Sequence, residues 1–510
     1  MRSKKYYFTT KDLVAMRALG KSMRRKTVYV FVLIALIVVA GFVAYFKPWV
    51  TRIVTLYPED ASDIFNELKT RFESGNWLTE ISPEAYNDEE NLYEKLSGGG
   101  IDLIIINNID TAEKLRKSGY INWFVEFANR SGSLYCIAAI YDSVHSNQAL
   151  GFVRFVLENS DIYSKLCTVI KPARGFGNIP EELQPYAGKY RVVIDWLNRS
   201  VVLPEKINRI VSLIPVVTIT AVMVGGGDLL VGVDKISPTS EFLQMVYPRI
   251  KEAPIAGLIT EFDEEFILSL NPDVVFVNVG LVAERLERIG IPAVVISMGD
   301  LEHKELLSAI RLIGEVIGEE EKAEELVSYC KEMLNSILNV TSNIPRSERP
   351  KVYVALGSDG LSTHVSLIAK DTIWAAGGIC VAENLSRPGG GPPLAQVSME
   401  SILSWNPDVI IAWTPKIKQI ILSDPAWSVI SAVKNDRVYV LPRGVREWII
   451  PEPEAILGAK WLAAKLYPNE VSFSRDEIRE FYSKFLNYTV SEEEINNILG
   501  GKYVTTVPGR

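Results

Sequence analysis

The feature that most restricts how this chain can fold is a stretch it writes twice. EFILSLNPDV runs over residues 265–274 and ESILSWNPDV over residues 400–409, with eight of ten residues identical and a spacing of 135. In each copy acidic residues open a helix, Asp263, Glu264 and Glu265 in the first and Glu400 behind Ser398 in the second. Carboxylates there face the positive helix end, and a Ser can cap it. Asn-Pro then stops the helix, because proline cannot continue it and Asn tolerates a left-handed cap. Asp-Val leads into a buried strand, VVFV or VIIA. A chain that repeats a helix-to-strand joint is expected to contain two α/β lobes that are structural duplicates. Most repeated letters are explained by that joint. The two glutamates are less well explained, since a helix-start acid contributes only about 0.3–1 kcal/mol and neighbouring acids already supply this in the first copy.

The rest of the chain supports the same reading. Residues 189–301 alternate strands and helices and form the first lobe. Residues 302–342, with apolar positions at three and four spacing (Ala323, Leu326, Val327, Cys330, Met333, Leu334, Ile337), predict one long connecting helix, and residues 350–510 form the second lobe with C-terminal helices. Before them, residues 52–186 predict a small α/β domain whose first helix buries Ala61, Ile64, Phe65, Leu68 and Phe72. The expected fold class is therefore α/β, two Rossmann-like lobes joined by one long helix, preceded by a small α/β domain and an N-terminal transmembrane helix.

That last element is residues 27–46, twenty uncharged residues, enough to cross a ~30 Å hydrocarbon layer. Nine Lys or Arg and one Asp precede it, so positive-inside bias predicts a cytoplasmic tail at 1–26 and the bulk outside the cell, on a single-pass cell-membrane anchor. Four cysteines fall as Cys136 with Cys167 and Cys330 with Cys380, which permits one disulfide in each predicted region. A net charge of -8 leaves no basic footprint for nucleic acid. No nucleophile elbow, HExxH, P-loop or dinucleotide fingerprint is present, so no enzyme is predicted, and three scattered histidines make no metal site.

From about residue 189 onward the wording VVLPEKINRIVSLIPVVTITAVMVGGGDLLVGVD, FDEEFILSLNPDVVFV, DTIWAAGGICVAENL, QVSMESILSWNPDVIIAW and WSVISAVKNDRVYVLP resembles the solute-binding proteins of ABC importers for iron-siderophore, haem and cobalamin. The resemblance implies two rigid lobes on one helical backbone, ligand between them, a permease and ATPase as partners, and one exposed glutamate per lobe docking on permease arginines. Those positions are Glu265 and Glu400. Residues 52–186 more weakly resemble one lobe of a molybdate, sulfate or sugar type of extracellular binding protein, with the second lobe missing.

In such a fold the ligand is expected at loops leaving the strand ends: 214–218, 237–240, 278–280, 357–364, 387–393, 413–415 and 443–448. The candidates are hydroxyl and amide groups (Thr218, Ser237, Thr239, Asn278, Ser358), the fork donors Arg387, Arg443 and Arg446, the flat faces of Trp413 and Trp448, and His364. A ferric chelate, haem or corrinoid is the leading expectation for cargo. An oxyanion such as molybdate or tungstate, or a cell-surface sensor or scaffold, is the alternative.

Overall fold

Runs of β-branched residues alternating with amphipathic segments fold as a mixed α/β protein. The computed structural model describes residues 51–76, 79–131, 133–140, 143, 145–296, 302–385 and 394–505, and only the backbone at 171 and 172. The segment 27–46, the basic tail before it and Arg387 lie outside the described residues. The chain divides into two units, 1–189 and 190–510.

In the first unit β1 (Thr51–Pro58), α1 (Ser62–Gly75), β2 (Thr79–Tyr86), α2 (Glu89–Ser97), β3 (Leu103–Ile106), α3 (Ile109–Lys117), β4 (Trp123–Arg130), β5 (Ser133–Ala139), α4 (Ser146–Glu158) and β6 (Thr168–Gly177) follow in order. The strands lie as β2-β1-β3-β5-β4-β6, with β1 parallel to β2 and β3 and the later pairs antiparallel. The α1 stripe of Ile64, Phe65, Leu68 and Phe72 packs into a core with Ile53, Val125 and Phe152. At the carboxyl ends of β1 to β3 is a concavity of about 550 Å³ lined by Glu59, Asp60, Asp88 and Glu89. Four carboxylates there oppose an oxyanion.

A hairpin of β7 (Ala187–Ile194) and β8 (Ser200–Pro204) leads on to β9 (Ile210–Ser212), α5 (Pro215–Met223), β10 (Leu230–Asp234), α6 (Glu241–Val246), β11 (Ile255–Leu258), β12 (Glu261–Phe262), α7 (Glu264–Ser269), β13 (Val274–Val277), α8 (Gly280–Arg288) and β14 (Ala293–Val295). This first lobe is a sheet of order β12-β11-β10-β9-β13-β14, parallel except for the short β12. Then come α9 (His303–Ile317) and α10 (Glu320–Thr341). The second lobe holds β15 (Lys351–Ala355), β16 (Ser362–His364), α11 (Leu367–Ala375), β17 (Ile379–Cys380), β18 (Leu394–Gln396), α12 (Met399–Trp405), β19 (Val409–Ala412), α13 (Pro415–Ser423), α14 (Ser431–Lys434), β20 (Val438–Val440), α15 (Ala455–Leu466), α16 (Arg475–Leu486) and α17 (Glu492–Leu499). Its parallel sheet runs β17-β15-β19-β20, and β16 pairs antiparallel with β18.

The duplicated stretch occupies equivalent places. In the first lobe β13 lies parallel to β9, and in the second β19 lies parallel to β15. The repeated Asp locks each pairing: Asp273 accepts from the Asn208 and Arg209 amides at 2.7 and 2.9 Å, and Asp408 from the Lys351 amide at 2.8 Å. The repeated Asn takes the left-handed turn in both, φ 46° at Asn271 and 44° at Asn406. The repeated Ile267 and Ile402 are fully buried. Glu265 and Glu400 stay exposed.

Two expectations need correction. The connector is two helices rather than one, because Gly318 takes a left-handed φ of 79° at the end of α9 and Glu319 to Glu321 start the next helix. Gly314 permits the two helices to close on each other, since a Cβ there would sit 2.3 Å from that of Ala323. The cysteines are all free thiols. Cys136 alternates with the core residues Tyr135 and Ile137 on β5 and so faces the other side of the sheet, whereas Cys167 packs against that core. Burial raises all four thiols, Cys330 to about 12.

Candidate ligand cleft

The site elements of the second unit come from the loops that leave the parallel strands of each lobe. In the first lobe they centre on Asp234, the last residue of β10, which is fully buried. Its carboxylate accepts from the Thr218 hydroxyl (2.7 Å), the Ser237 hydroxyl (2.6 Å), and the amides of Ile236 and Ser237 (both 2.8 Å). Thr218 and Ser237 are therefore turned inward to hold this loop. Thr239 donates to the Ile236 carbonyl at 2.7 Å. Asn278 lies just past β13, its buried Oδ1 without a partner among the described residues.

The segment 442–454 of the second lobe reaches the same loop, where the Ser240 hydroxyl donates to the Val445 carbonyl at 2.6 Å. The two arginines on it are committed to one acid. Arg443 Nη2 lies 2.8 Å from Glu447 and its Nη1 donates to the Tyr503 carbonyl at 3.2 Å, while Arg446 Nε donates to Glu447 at 3.3 Å. Burial opposes the charge on Glu447, yet Arg446 and Arg443 hold its carboxyl below the usual range. The expectation of free fork donors at Arg443 and Arg446 is replaced by a buried ion cluster. Trp448 likewise has no exposed face; it is 0 % exposed and packs edge-on against Phe473.

Two further acids complete the cluster. Burial pushes Glu452 well above the carboxylate range, with Arg446 opposing. Glu454 is raised by burial to about 7, against the donors that engage it: the Tyr482 hydroxyl and the amides of Val445 (2.9 Å) and Arg446 (2.8 Å). A carboxyl whose folded pKa is raised holds its proton more tightly when folded. Its stabilising contribution is complete below the unfolded pKa and is lost as pH rises through the folded value. Between pH 5 and 8 the protein is expected to lose up to about 3 kcal/mol through Glu454, and Glu454→Gln is expected to flatten that part of the profile. Melting curves at both pH values check this; equal pH slopes in the two proteins would refute it.

The open cavity lies on the second lobe. About 570 Å³ is lined by Gly357, Ser358, Ser362, Gln396, Trp413, Thr414 and Lys416 with Leu356, Leu394 and Ile417. His364 stacks on Trp413 at 5.6 Å with rings 7° apart and meets the Ser366 hydroxyl at 2.8 Å. The strand ends of β15 and β19 and the β16–β18 ribbon thus bring Ser358, Trp413 and His364 together. Sequence reasoning covered Ser362 and Thr414 only as members of the loops 357–364 and 413–415, and it missed Gln396 and Lys416. Gln396 and Lys416 flank stretches whose hydropathy shows only strand or helix, and only the β16–β18 register sets Gln396 opposite Ser362. It also missed Asp234 and Glu447. An acid ending a strand before Ser-Pro-Thr was the available signal for the first.

Two similar α/β lobes joined by helices, with strand-end loops around a cavity, define a two-lobed solute receptor. Residues 210–444 match the family described as periplasmic binding protein. The chain is 30% identical to a periplasmic solute binding protein of Veillonella parvula whose crystal structure superposes with a TM-score of 0.54, covering 61% of this chain and 97% of that one. It is 29% identical to the molybdate-binding protein MolA of Haemophilus influenzae, covering 58% of this chain and 90% of that protein. The MolA structure bound to molybdate has a TM-score of 0.52 at 27% identity, covering 59% of this chain and 99% of that one. An uncharacterized ABC transporter substrate-binding lipoprotein of Bacillus subtilis is 28% identical, over 54% of this chain and 85% of its own length. The chain belongs to the periplasmic binding protein family, a family of solute-binding proteins and not of enzymes.

The expected single-pass placement in the cell membrane is overturned by this kinship, since the Bacillus relative is named a lipoprotein. Among the described residues no helix is long and apolar enough to cross a membrane.

Proposed function

We propose that residues 190–510 capture an oxyanion of the molybdate and tungstate kind and deliver it to an ABC permease and its ATPase. The observation that carries this is the lining of the 570 Å³ cavity: hydroxyls of Ser358, Ser362 and Thr414, the Gln396 amide and the Lys416 ammonium, with no carboxylate among the described lining residues. Hydroxyl, amide and ammonium donors suit an oxyanion, and an acid would repel it. The likeness to a protein named molybdate-binding supports the same choice. A ferric chelate, haem or corrinoid is the second reading, favoured by the cavity's volume and by the flat Trp413 ring beside His364.

The same reading gives Glu265 and Glu400 the role of docking points on the permease. Asp263 caps α7 through the Glu265 and Phe266 amides, at 2.9 and 3.1 Å, and Ser398 caps α12 through the Ser401 amide at 3.2 Å. Neither glutamate has a basic side chain within 4.0 Å among the described residues, so both charges are available to a partner.

Thermal melting of the purified chain with molybdate, tungstate, sulfate, ferric chelates, haem and cobalamin tests the cargo. A ligand at 100 times its Kd adds about 2.7 kcal/mol and raises the Tm visibly. Molybdate or tungstate is expected to do so. A shift with a chelate or haem alone would replace the oxyanion reading with the second one, and no shift with any would turn the interpretation to a sensor or scaffold.

A further inference from the structure

A second cavity, of about 460 Å³, lies on the second lobe and shares no lining residue with the first. Its wall combines β20 and α15 with the start of α16 and the end of α17, and its floor is apolar and aromatic: Tyr439, Trp461, Phe473, Ile478 and Leu499. Trp461 meets Tyr439 edge to face at 6.3 Å. Two lysines line it, Lys418 from α13 and Lys465 from α15, both half-buried.

The charge balance around it is uneven. The third lining cation, Arg475, pairs with Glu492 at 2.8 Å, and the neighbouring cations are matched too, Lys460 with Glu477 and Arg479 with Asp476 at 2.6 Å. Those pairs engage the acids of this wall. Lys418 and Lys465 meet no carboxylate within 4.0 Å among the described residues. Lys465 Nζ instead sits over the Tyr439 ring, 5.3 Å from its centroid. A cation over a ring recovers only about 0.5–1 kcal/mol, less than a charge-assisted hydrogen bond to an anion. At the start of α16 the Ser474 hydroxyl and the Glu477 carboxylate form a capping box that satisfies the Glu477 and Ser474 amides.

We infer that this cavity is a second ligand site, taking a small organic anion with an apolar or aromatic body and a carboxylate-type head. The head lies between the ammonium groups of Lys418 and Lys465, and the body covers the partly exposed Phe473 and Leu499. Volume agrees, since small-molecule sites occupy roughly 300–1,000 Å³.

The test uses the full chain, with 2-naphthoate as probe and 2-naphthylmethanol as its uncharged match, measured by titration calorimetry. Saturable binding of 2-naphthoate is expected, weakened at least about tenfold in the double variant Lys418→Ala/Lys465→Ala and restored in Lys418→Arg/Lys465→Arg. The melting temperature of the unliganded variants should match that of the parent chain, as both lysines reach solvent. The site assignment is overturned if 2-naphthoate does not saturate, if the double alanine variant binds it equally well, or if the alcohol binds as tightly as the acid. Displacement of 2-naphthoate by molybdate would also overturn it, by placing the probe in the other cavity.

Discussion

Reversing both Glu265 and Glu400 to lysine is expected to abolish permease-dependent uptake of the cargo while leaving its Kd and the melting temperature unchanged. Separated charge pairs set docking register and encounter rate, and like charges facing each other cost several kcal/mol, so a double reversal acts far more strongly on association than removal of either charge. The fold is insulated from the change. The helix starts are capped by Asp263 and Ser398, and the joint is held by Asp273, Asp408, Ile267 and Ile402. The Glu400 carboxylate is held below the usual range by backbone amide and Ser398 donation, so it stays charged at any pH of interest. Single reversals should each leave partial uptake. Full uptake by the double variant, measured in cells with equal protein levels, would remove the docking role.

Gly458→Ala is expected to be the most damaging small substitution in the second unit. Alanine normally improves a helix by about 1 kcal/mol over glycine. Here a Cβ on α15 would lie 1.7 Å from the Trp448 carbonyl oxygen and 2.8 Å from its carbon, and backbone cannot yield as a side-chain tip can. Trp448 is fully buried and belongs to the segment that carries Arg443, Arg446, Glu447, Glu452 and Glu454, so displacing it disturbs the ion cluster. A loss of about 3 kcal/mol is expected, on the scale of severe overpacking, or roughly 6–12 °C in Tm. Gly151→Ala on α4 is the matched control: nothing lies within 4 Å of its Cβ, so it should be neutral or stabilising. Melting of Gly458→Ala within error of the parent chain would refute the argument.

The joint between helix and strand was legible because its helix stop is local. A left-handed Asn and a proline stop act over a few residues, so the same letters build the same turn in both lobes, whereas the amides that the repeated Asp accepts from lie 57 to 65 residues back in the chain. The connector was misread at Gly318 because amphipathic spacing continues across the break, and the glycine followed by three acids was the stop-and-start signal that outranked it. Arg443 and Arg446 looked like ligand donors because a sequence shows charge but not its partner. Glu447 stands next to Arg446 in the chain, yet only the turn that brings Arg443 against it shows all three sharing one buried cluster. Trp448 was offered as a flat binding face for a similar reason, since burial of a ring depends on what packs over it.

The sequence by itself determined the duplicated helix-to-strand joint, the paired α/β lobes it implies and the family, because each depends on short-range pattern or on kinship over hundreds of residues. Only the tertiary structure decided which polar groups face solvent and which face each other. It turned Thr218 and Ser237 onto Asp234, tied two arginines to Glu447, and left Ser358, Gln396 and Lys416 lining an open cavity. The physical reason is that a polar side chain's role is set by whether its hydrogen-bonding capacity is met within the protein, and that depends on how a loop folds back on itself even where the partner is only 1 to 16 residues away in the chain.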